Sequence, residues 1–456
     1  MQNTTIQSEF LDKAAKLPVV FFWFRRDLRL QDNAALFAAK QFAEAEGLRI
    51  IPVFIFDSRI LSNLLDKDDK RVAFIYSAVQ NLKEQLQKIK SDILVLHGDP
   101  EMVWHELCQQ FKIIHVYANK DYEPYAIERD ARIRKILAQK GGNLQLFKDQ
   151  VIFEEDEILN NSGSPYTVFT PYSRKWLDHF SREGLSAYKS ESRAELFFTL
   201  EPQPMPEPER LGFSFSEFEF PARSIRRSIL QHYHETRDIP GIVGTSRLGV
   251  HLRFGTLSIR TLVNLAAQEN STFLNELIWR EFYMMILWHF PHTVNSSFRE
   301  SYDNLIWRGE SEEFAAWCRG QTGYALVDAG MRELVATGFM HNRVRMLTAS
   351  FLTKHLLTDW RLGERWFARY LLDFELASNV GGWQWAAGCG TDAAPYFRIF
   401  NPNRQLQKFD TQLAYVAKWA PEYVQNPSAC PKKIVEHTFA RERALNFYKK
   451  GLAPKA

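Results

Sequence analysis

Four side chains of different chemistry share one face of a predicted helix. The stripe consists of Glu276, Trp279, Arg280 and Tyr283, which stand at positions i, i+3, i+4 and i+7. An acid, an indole, a guanidinium and a phenol make a poor apolar core, but they suit the wall of a pocket for an aromatic or pyrimidine ligand. The same spacing fits equally well a salt-bridged face on which Trp279 covers the core.

A hexapeptide, GTSRLG at 244–249, could bind phosphate. Thr245, Ser246 and Arg247 would present hydroxyls, backbone N–H groups and a guanidinium to phosphate oxygens. An isolated hexapeptide of this kind is also typical of a helix cap. The motif by itself therefore leaves both interpretations open.

The longest run of mixed chemistry is DFELASNVGGWQWAAGCGTDAAPYFRIFNP, residues 373–402. Gly381 and Gly382 would let the backbone approach something flat or bulky. A lone GG-W-x-W is also typical of core packing. Tryptophan is concentrated around this run, since eight of the twelve in the chain fall between Trp279 and Trp385.

These residues must be positioned by two kinds of domain. Apolar runs alternate with helical periodicity at 33–46, 70–90, 100–111 and 123–140, which predicts an α/β domain with a parallel, doubly wound sheet. The first strand is followed not by G-x-G-x-x-G but by FRRDLRLQDNAAL (24–36), whose arginines fit either a solvated loop or an interdomain or antenna role. The predicted strands are PVVFFWF (18–24), LRIIPVFIF (48–56), SDILVLHG (91–98), KIIHVYANKD (112–121) and NLQLFKD (143–149).

A long connector and an all-helical domain follow. Gly, Ser and Pro accumulate over residues 151–225, which predicts a connector with one helix near 170–183. Helical periodicity prevails from residue 226, including single helices over 344–357 and 365–376. We therefore predict three parts: an α/β domain at 18–150, an interdomain connector at 151–225 and an all-α domain at 226–450.

Composition excludes several classes of protein. No apolar run is long enough to span a bilayer, and residues 1–16 lack a signal pattern, which predicts a cytoplasmic protein. Four scattered cysteines argue against a disulfide framework, a zinc site or an iron–sulfur cluster, so no metal is expected. Residues 226–456 carry 28 Lys+Arg and 21 Asp+Glu, an excess that weakly favours a polyanionic partner.

Residues 373–402 closely resemble the flavin-binding signature of the DNA photolyase and cryptochrome family, and 24–36 resemble the opening of its chains. The resemblance extends from about Val19 to Glu422 and is nearest to class I cyclobutane pyrimidine dimer photolyases. It implies an antenna-chromophore domain and a FAD-binding catalytic domain. It also implies a second chromophore, which could be folate, deazaflavin or FMN, because Ile127 stands where one folate-binding subgroup has asparagine.

The resemblance also implies which residues hold the flavin. Arg345 matches an arginine that pairs with Asp373 beside the ring, although by itself it would be a surface charge. Asn379 matches the residue that faces the reactive flavin nitrogen, and Gly249 departs from the usual serine. The full implied set is Tyr233, Thr245, Ser246, Arg247, Leu248, Gly249, Phe273, Glu276, Arg280, Tyr283, Arg345, Asp373, Glu375 and Asn379.

A third set of residues is implied to act on damaged DNA. His341 is followed by Asn342 and not by a second histidine, which favours the cyclobutane dimer over the six-four photoproduct. Glu276 would donate to or stabilise a dimer carbonyl, and its pKa would be raised if its carboxyl is desolvated. The implied DNA contacts are Glu276, Trp279, Arg280, Asn342, Arg343, Met346, Trp385 and Asn403, with Arg404 and Lys408 as candidates that also fit solvated surface. Trp307, Trp360 and Trp383 match the tryptophans that relay electrons to the flavin.

The function implied is light-driven repair of cyclobutane pyrimidine dimers by electron transfer from excited, reduced FAD. Asn379 favours repair, because plant cryptochromes have an acid at that place. The alternatives are a cryptochrome-type photoreceptor that binds FAD without repair and a flavin oxidoreductase with a small-molecule substrate. DNA containing dimers is the expected partner, with no membrane, no obligate protein partner and a monomeric state.

Overall fold

Five short runs rich in β-branched and aromatic residues form one parallel sheet in the computed structural model, which describes residues 17–453. The strands are β1 (Pro18–Phe24), β2 (Ile50–Asp57), β3 (Leu94–Gly98), β4 (Lys112–Asn119) and β5 (Asn143–Phe147). Their order is β3-β2-β1-β4-β5, and every neighbouring pair is parallel. The predicted doubly wound sheet is confirmed, whereas the prediction for residues 1–16 lies outside the described residues.

Helices connect the strands, because parallel strands cannot be joined by a tight hairpin. They are α1 (Ala34–Ala45), α2 (Ser58–Leu61), α3 (Lys70–Gln87), α4 (Pro100–Gln110) and α5 (Pro124–Ala138). Helix α1 begins where the Asn33 side chain accepts a hydrogen bond from the backbone N–H of Leu36, and Asp69 caps α3 in the same way through Arg71. Such caps satisfy N–H groups that the first turn of a helix leaves unpaired.

The arginine-rich segment after β1 is buried and not solvated. Arg29 is 3% exposed and lies 2.7 Å from Asp149, and Asp149 also accepts from Arg260 at 2.7 Å. Asp32 accepts from the Nε of Arg260 at 2.9 Å. Within this part of the chain the motif therefore forms a buried network of paired charges, which contradicts the interpretation as a solvated loop.

The rest of the chain is helical. After α6 (Phe169–Glu183), the helix expected in the connector, come α7 (Arg227–Gln231), α8 (Tyr233–Thr236), α9 (Gly249–Arg253), α10 (Ile259–Glu269), α11 (Ser271–His289), α12 (Ser311–Cys318), α13 (Ala325–Thr337), α14 (Asn342–Ser350), α15 (Trp360–Tyr370), α16 (Leu376–Ala387), α17 (Pro402–Phe409), α18 (Ala414–Trp419), α19 (Glu422–Gln425) and α20 (His437–Gly451). Short 3₁₀ turns lie at Ala194–Leu196, Pro208–Leu211, Pro291–Val294, Glu300–Asn304 and Pro427–Ala429. Among residues 17–453, none of these helices is long and apolar enough to cross a membrane.

Two predicted helices differ from the structure. The helix expected over 344–357 is α-helical only to Ser350 and continues as a π-helical turn, Phe351–His355. The helix expected over 365–376 ends at Tyr370, and the next begins at Leu376. Apolar periodicity continues across both breaks, so it could not locate them.

The described chain divides into two units, each built from several segments. The first contains residues up to 154, 180–223 and 248–265, and the second contains 155–179, 224–247 and the residues from 266 onward. The first unit has an apolar core on the sheet, around Trp104 and Phe21. The second unit has a larger core that includes Trp317, Trp360 and Trp383.

Candidate functional site

Helix α11 carries the mixed stripe as one half-buried face. The Asn270 side chain caps the helix by accepting from the N–H of Phe273 at 3.1 Å. Leu277 and Ile278 of the same helix are buried, while all four residues of the stripe keep partial exposure. The stripe thus borders accessible space and does not form core.

Glu276 has an ion-pair partner that spacing did not reveal. Its Oε1 lies 2.5 Å from the Nη1 of Arg237, in the second unit. Burial raises the pKa of the Glu276 carboxyl above its ordinary value, and the Arg237 guanidinium only partly opposes this. The expected direction of the shift is confirmed. Arg237 stands four residues after Tyr233 and lies 5.6 Å from the centre of its ring, but no local pattern relates Arg237 to Glu276.

The aromatic members of the stripe pack against other segments of the same unit. Trp279 stacks on Phe169, with ring centroids 3.7 Å apart and planes within 6°. Tyr283 meets Gly381, where an added Cβ would stand 2.3 Å from the Tyr283 ring. Gly381 therefore allows α16 to approach α11. At Gly382 an added Cβ would meet no atom of another segment within 4 Å, so of these two glycines it is Gly382 that opens onto free space.

An ion pair occupies the break between α15 and α16. The Nη2 of Arg345 donates to both carboxylate oxygens of Asp373 at 3.1 and 3.0 Å, and its Nε donates to the carbonyl of Met340 at 2.7 Å. The predicted pairing is confirmed. Glu375 follows in the same break and lies 3.4 Å from the Nη2 of Arg280, which links the break to α11.

Asn379 is buried and held by a residue that sequence patterns did not indicate. Its amide nitrogen donates to the backbone carbonyl and to the Oε1 of Glu364, at 3.2 and 2.8 Å. Burial raises the pKa of the Glu364 carboxyl, with the bond from Asn379 opposing this. The amide therefore has a fixed orientation on α16.

The phosphate motif has the backbone of a tight turn. Arg247 adopts a left-handed φ of 52°, and its guanidinium lies 4.5 Å from the centre of the Phe339 ring. Gly244 is required by close contact, because a Cβ there would come 2.7 Å from Thr236. Thr245 and Ser246 are partly exposed in the second unit.

Four more predicted flavin residues lie in or near helices α8, α9 and α11. Leu248 and Gly249 belong to the first unit, where Leu248 precedes α9 and Gly249 is its first residue. Tyr233 packs edge-on against Phe273, with centroids 5.0 Å apart. Burial raises the pKa of the Tyr233 phenol above its ordinary value.

The predicted DNA contacts include both half-buried and exposed residues. Arg343 is half-buried, because it pairs with Asp238 at 2.6 Å and lies over the Phe409 ring at 4.5 Å. Met346 and Trp385 are half-buried as well, like the members of the stripe on α11. The exposed members are Asn342, Asn403, Arg404 and Lys408.

The three predicted relay tryptophans belong to one apolar cluster. Trp360 and Trp383 are 1% and 2% exposed, whereas Trp307 packs against the cluster with partial exposure. Trp383 also lies beside Gly363, where a Cβ would come 2.2 Å from its ring. Of the three, only Trp307 is therefore partly exposed, and the relay itself stays a prediction.

The residues fit a flavin nucleotide. His341 is buried, and its Nε2 has no hydrogen-bond partner among the described residues. Arg345 lies in the same segment as His341. On α16, Gly382 has no side chain, and the space beside it is free of other segments. A group with hydrogen-bond acceptors would satisfy the histidine, and the hydroxyls and arginine of residues 245–247 suit phosphates.

Family models match both halves of the chain. Residues 20–194 match the model described as DNA photolyase, and residues 273–450 match the one described as FAD binding domain of DNA photolyase. A deoxyribodipyrimidine photo-lyase from Halobacterium salinarum is 35% identical, over 94% of this chain and 98% of that protein.

Solved structures of the same architecture are similar over nearly the whole chain. A bacterial class III photolyase from Agrobacterium tumefaciens has a TM-score of 0.82 and 32% identity, covering 96% of this chain and 98% of that one. An archaeal photolyase from Sulfolobus tokodaii with two FAD molecules has a TM-score of 0.78 and 32% identity, covering 94% and 99%. A cryptochrome from Synechocystis has a TM-score of 0.79 and 27% identity, covering 94% and 99%.

Proposed function

Because this chain belongs to the DNA photolyase family, we propose that it uses light to split cyclobutane pyrimidine dimers in DNA, with FAD held by the helical part of the chain that follows residue 225. The observation that carries the proposal is the direct packing of α11 on α16. It consists of the ion pair of Arg280 with Glu375 at 3.4 Å and the close contact of Gly381 with Tyr283. This packing joins the polar stripe to the helix that carries Asn379.

Reduced FAD, when bound and excited by light, supplies the electron that opens the dimer and afterwards takes it back. The residues of the chain bind and orient it. Asn379 would present a fixed amide to the flavin, and the Arg345–Asp373 pair would lie beside the ring. The other proposed contacts are Tyr233, Thr245, Ser246, Arg247, Leu248, Gly249, Phe273, Glu276, Arg280, Tyr283 and Glu375.

The dimer would enter flipped out of the duplex, because its weakened pairing lowers the cost of flipping. Trp279, Trp385 and Met346 offer apolar contact to the lesion, and Asn342 offers an amide. Glu276 would hold a proton or a hydrogen bond at a dimer carbonyl, since its raised pKa favours the protonated carboxyl. Arg280, Arg343, Asn403, Arg404 and Lys408 are the proposed contacts to the DNA backbone.

The three relay tryptophans would activate the enzyme by reducing its flavin, and they would take no part in the repair reaction. Electrons from the surface would pass along Trp307, Trp360 and Trp383 and keep the flavin reduced. We further propose a second, antenna chromophore, in line with the two FAD molecules of the Sulfolobus tokodaii photolyase. We place the protein in the cytoplasm as a monomer without an obligate protein partner, and its subclass stays a prediction.

The test uses the purified protein and an oligonucleotide with a single thymine dimer. Under near-ultraviolet or blue light, with the flavin chemically reduced, dimers should disappear at a rate that follows light dose, and no loss should occur in the dark. An oligonucleotide with a six-four photoproduct is the control substrate. Persistence of both lesions under light would contradict the proposal.

A blue-light photoreceptor is the second candidate, favoured by the similarity to the Synechocystis cryptochrome. It predicts reversible spectral changes of a bound flavin under blue light without loss of dimers. The absorption spectrum before and after illumination, recorded on the same sample as the repair assay, separates the two. Repair together with photoreduction favours the enzyme, whereas photoreduction without repair favours the photoreceptor.

A further inference from the structure

Two adjacent residues join one loop to α11 and α14, two helices that carry proposed contacts to the lesion. Arg237 directly follows α8 and pairs with Glu276 on α11 at 2.5 Å, and Asp238 pairs with Arg343 on α14 at 2.6 Å. All of these residues lie in the second unit. The loop thus places an acidic side chain directly on an arginine that is proposed to bind DNA.

We infer that Asp238 is a phosphate mimic that occupies Arg343 in the free protein and must be displaced when DNA binds. The inference rests on the proposed function, because it needs Arg343 to contact DNA. The carboxylate is 42% exposed and the guanidinium 19%, so a phosphate can approach the pair from solvent. Asp238 would therefore lower affinity for DNA and act as an affinity-determining residue.

The geometry of the pair is suited to exchange. Both the Nε and the Nη2 of Arg343 donate to the same oxygen, Oδ1 of Asp238, at 3.2 and 2.6 Å. A phosphate offers separate oxygens to the two nitrogens, and such bidentate pairing is the stronger form. Exposed ion pairs are weak by comparison, so phosphate can displace the carboxylate.

Other contacts hold Arg343 ready after the exchange. Its guanidinium lies 4.5 Å from the centre of the Phe409 ring, a cation–π contact that does not involve Asp238. The backbone N–H of Arg343 donates to the Nδ1 of His341 at 3.2 Å, which caps the first turn of α14. Removal of the Asp238 carboxylate should therefore leave the Arg343 guanidinium in place and available to a DNA phosphate.

The experiment measures binding of the flavin-loaded protein to undamaged duplex and to duplex with one thymine dimer, across a range of salt. We expect Asp238→Asn to bind both duplexes about three- to tenfold more tightly, with a steeper loss of affinity as salt rises. Arg343→Gln should weaken binding to both. In the Arg343→Gln background, Asp238→Asn should change nothing, because the arginine it releases is absent.

Glu422→Gln is the matched control, since Glu422 pairs with Arg332 at 2.6 Å in the same unit, outside every proposed contact. If Glu422→Gln tightens binding as much as Asp238→Asn does, the gain in affinity comes from the change in the protein's net charge, and the inference is overturned. Unchanged or weaker binding by Asp238→Asn, with flavin content and thermal midpoint as in the wild type, overturns it too. Loss of the thymine dimer from the same duplex under light, measured separately with the wild type, shows that the proposed function itself has not failed.

Discussion

A half-buried carboxyl with a single arginine partner dominates the chemistry of the stripe on α11. Burial raises the pKa of Glu276, so its protonated form is accessible at pH values where surface carboxyls are ionised. Arg237 partly opposes this at 2.5 Å. A ligand that draws Arg237 away would therefore favour the protonated carboxyl, which is the form that donates to a carbonyl.

Replacing Glu276 with alanine should lower the yield of repair per absorbed photon more than it lowers DNA affinity. The reason is that the carboxyl acts on the dimer carbonyl and not on the DNA backbone. We expect a loss of roughly fivefold, which corresponds to one hydrogen bond of about 1 kcal/mol. Repair yield and binding are measured on the same dimer-containing oligonucleotide. A larger loss of affinity than of yield would make Glu276 a binding residue instead.

Replacing Arg345 with alanine should weaken retention of FAD. The substitution leaves Asp373 without its two bonds at 3.1 and 3.0 Å beside the proposed flavin ring. Because the pair is 25% and 21% exposed, solvent screens it, and we expect about tenfold weaker FAD binding and not the full cost of a buried pair. Arg332→Ala, at a pair of similar exposure with Glu422, is the control. Full flavin occupancy after dialysis would contradict the role of Arg345.

Sequence alone could predict local partners and the pairing implied by resemblance, but not contacts between distant segments. The stripe on α11 followed from spacing, and the Arg345–Asp373 pair followed from the matched motif. Phe169 on Trp279 and Glu364 on Asn379 were missed, because nothing in the local pattern of either segment encodes the other. The interior of the site is formed by tertiary packing, which periodicity does not report.

At the scale of elements, the helices were predictable and their interruptions were not. Apolar periodicity placed five strands and most helices, yet it continued through Leu371–Glu375, where the chain leaves the helix. This break puts Asp373 and Glu375 where they can reach Arg345 and Arg280. The functional residues thus lie where the local pattern gives no signal of a boundary.

The packing of α15 on α16 sets the proposed relay. Gly363 on α15 permits the approach, because any Cβ there would strike the Trp383 ring at 2.2 Å. The indole nitrogen of Trp360 has no hydrogen-bond acceptor within residues 17–453. If Trp360 were oxidised in the proposed relay, no hydrogen-bond partner would take its indole proton, which would favour its reduction by an electron from the more exposed Trp307.

Replacing Trp383 with phenylalanine should block photoreduction of oxidised flavin while leaving repair by chemically reduced enzyme largely intact. The substitution replaces an indole with a phenyl ring, which is much harder to oxidise, but keeps much of the volume of the side chain. Trp317→Phe is the matched control, since Trp317 is buried 6.0 Å from Trp383 but matches no relay position. The rate of flavin reduction under blue light is the measurement. Unchanged photoreduction in Trp383→Phe would remove it from the relay.

At the scale of the whole molecule, each unit is assembled from segments that are far apart in sequence. The first unit recruits residues 248–265 back to the sheet domain, and Arg260 from this segment is buried against Asp149 and Asp32. Buried charges must be paired, because an unmatched charge in the interior is strongly destabilising. Closure of the first unit therefore depends on a few ion pairs as well as on its apolar core.

Replacing Asp149 with asparagine should destabilise the first unit, because Arg29 and Arg260 would lose the carboxylate that neutralises them at 2.7 Å. We expect about 3–5 kcal/mol, the usual cost of breaking a buried pair. Hydrogen exchange measured on β1–β5 and on the helices of the second unit should show faster exchange in the strands. Asp68→Asn, at an exposed carboxyl bonded to Ser216, is the control and should change little.

We expect the stability of the first unit to depend on pH through the Asp149 carboxyl, and Asp149→Asn to lack this dependence. Burial alone would raise the pKa of Asp149, but Arg29 and Arg260 outweigh it and hold the pKa below its ordinary value of 3.8. Its stabilising contribution is therefore complete above that value and falls as pH decreases through the lowered pKa of the folded state. Wild-type strands should lose protection as pH falls below about 4, and Asp149→Asn should lack that part of the change. An equal acid response in both proteins would show that the buried network does not depend on this carboxylate.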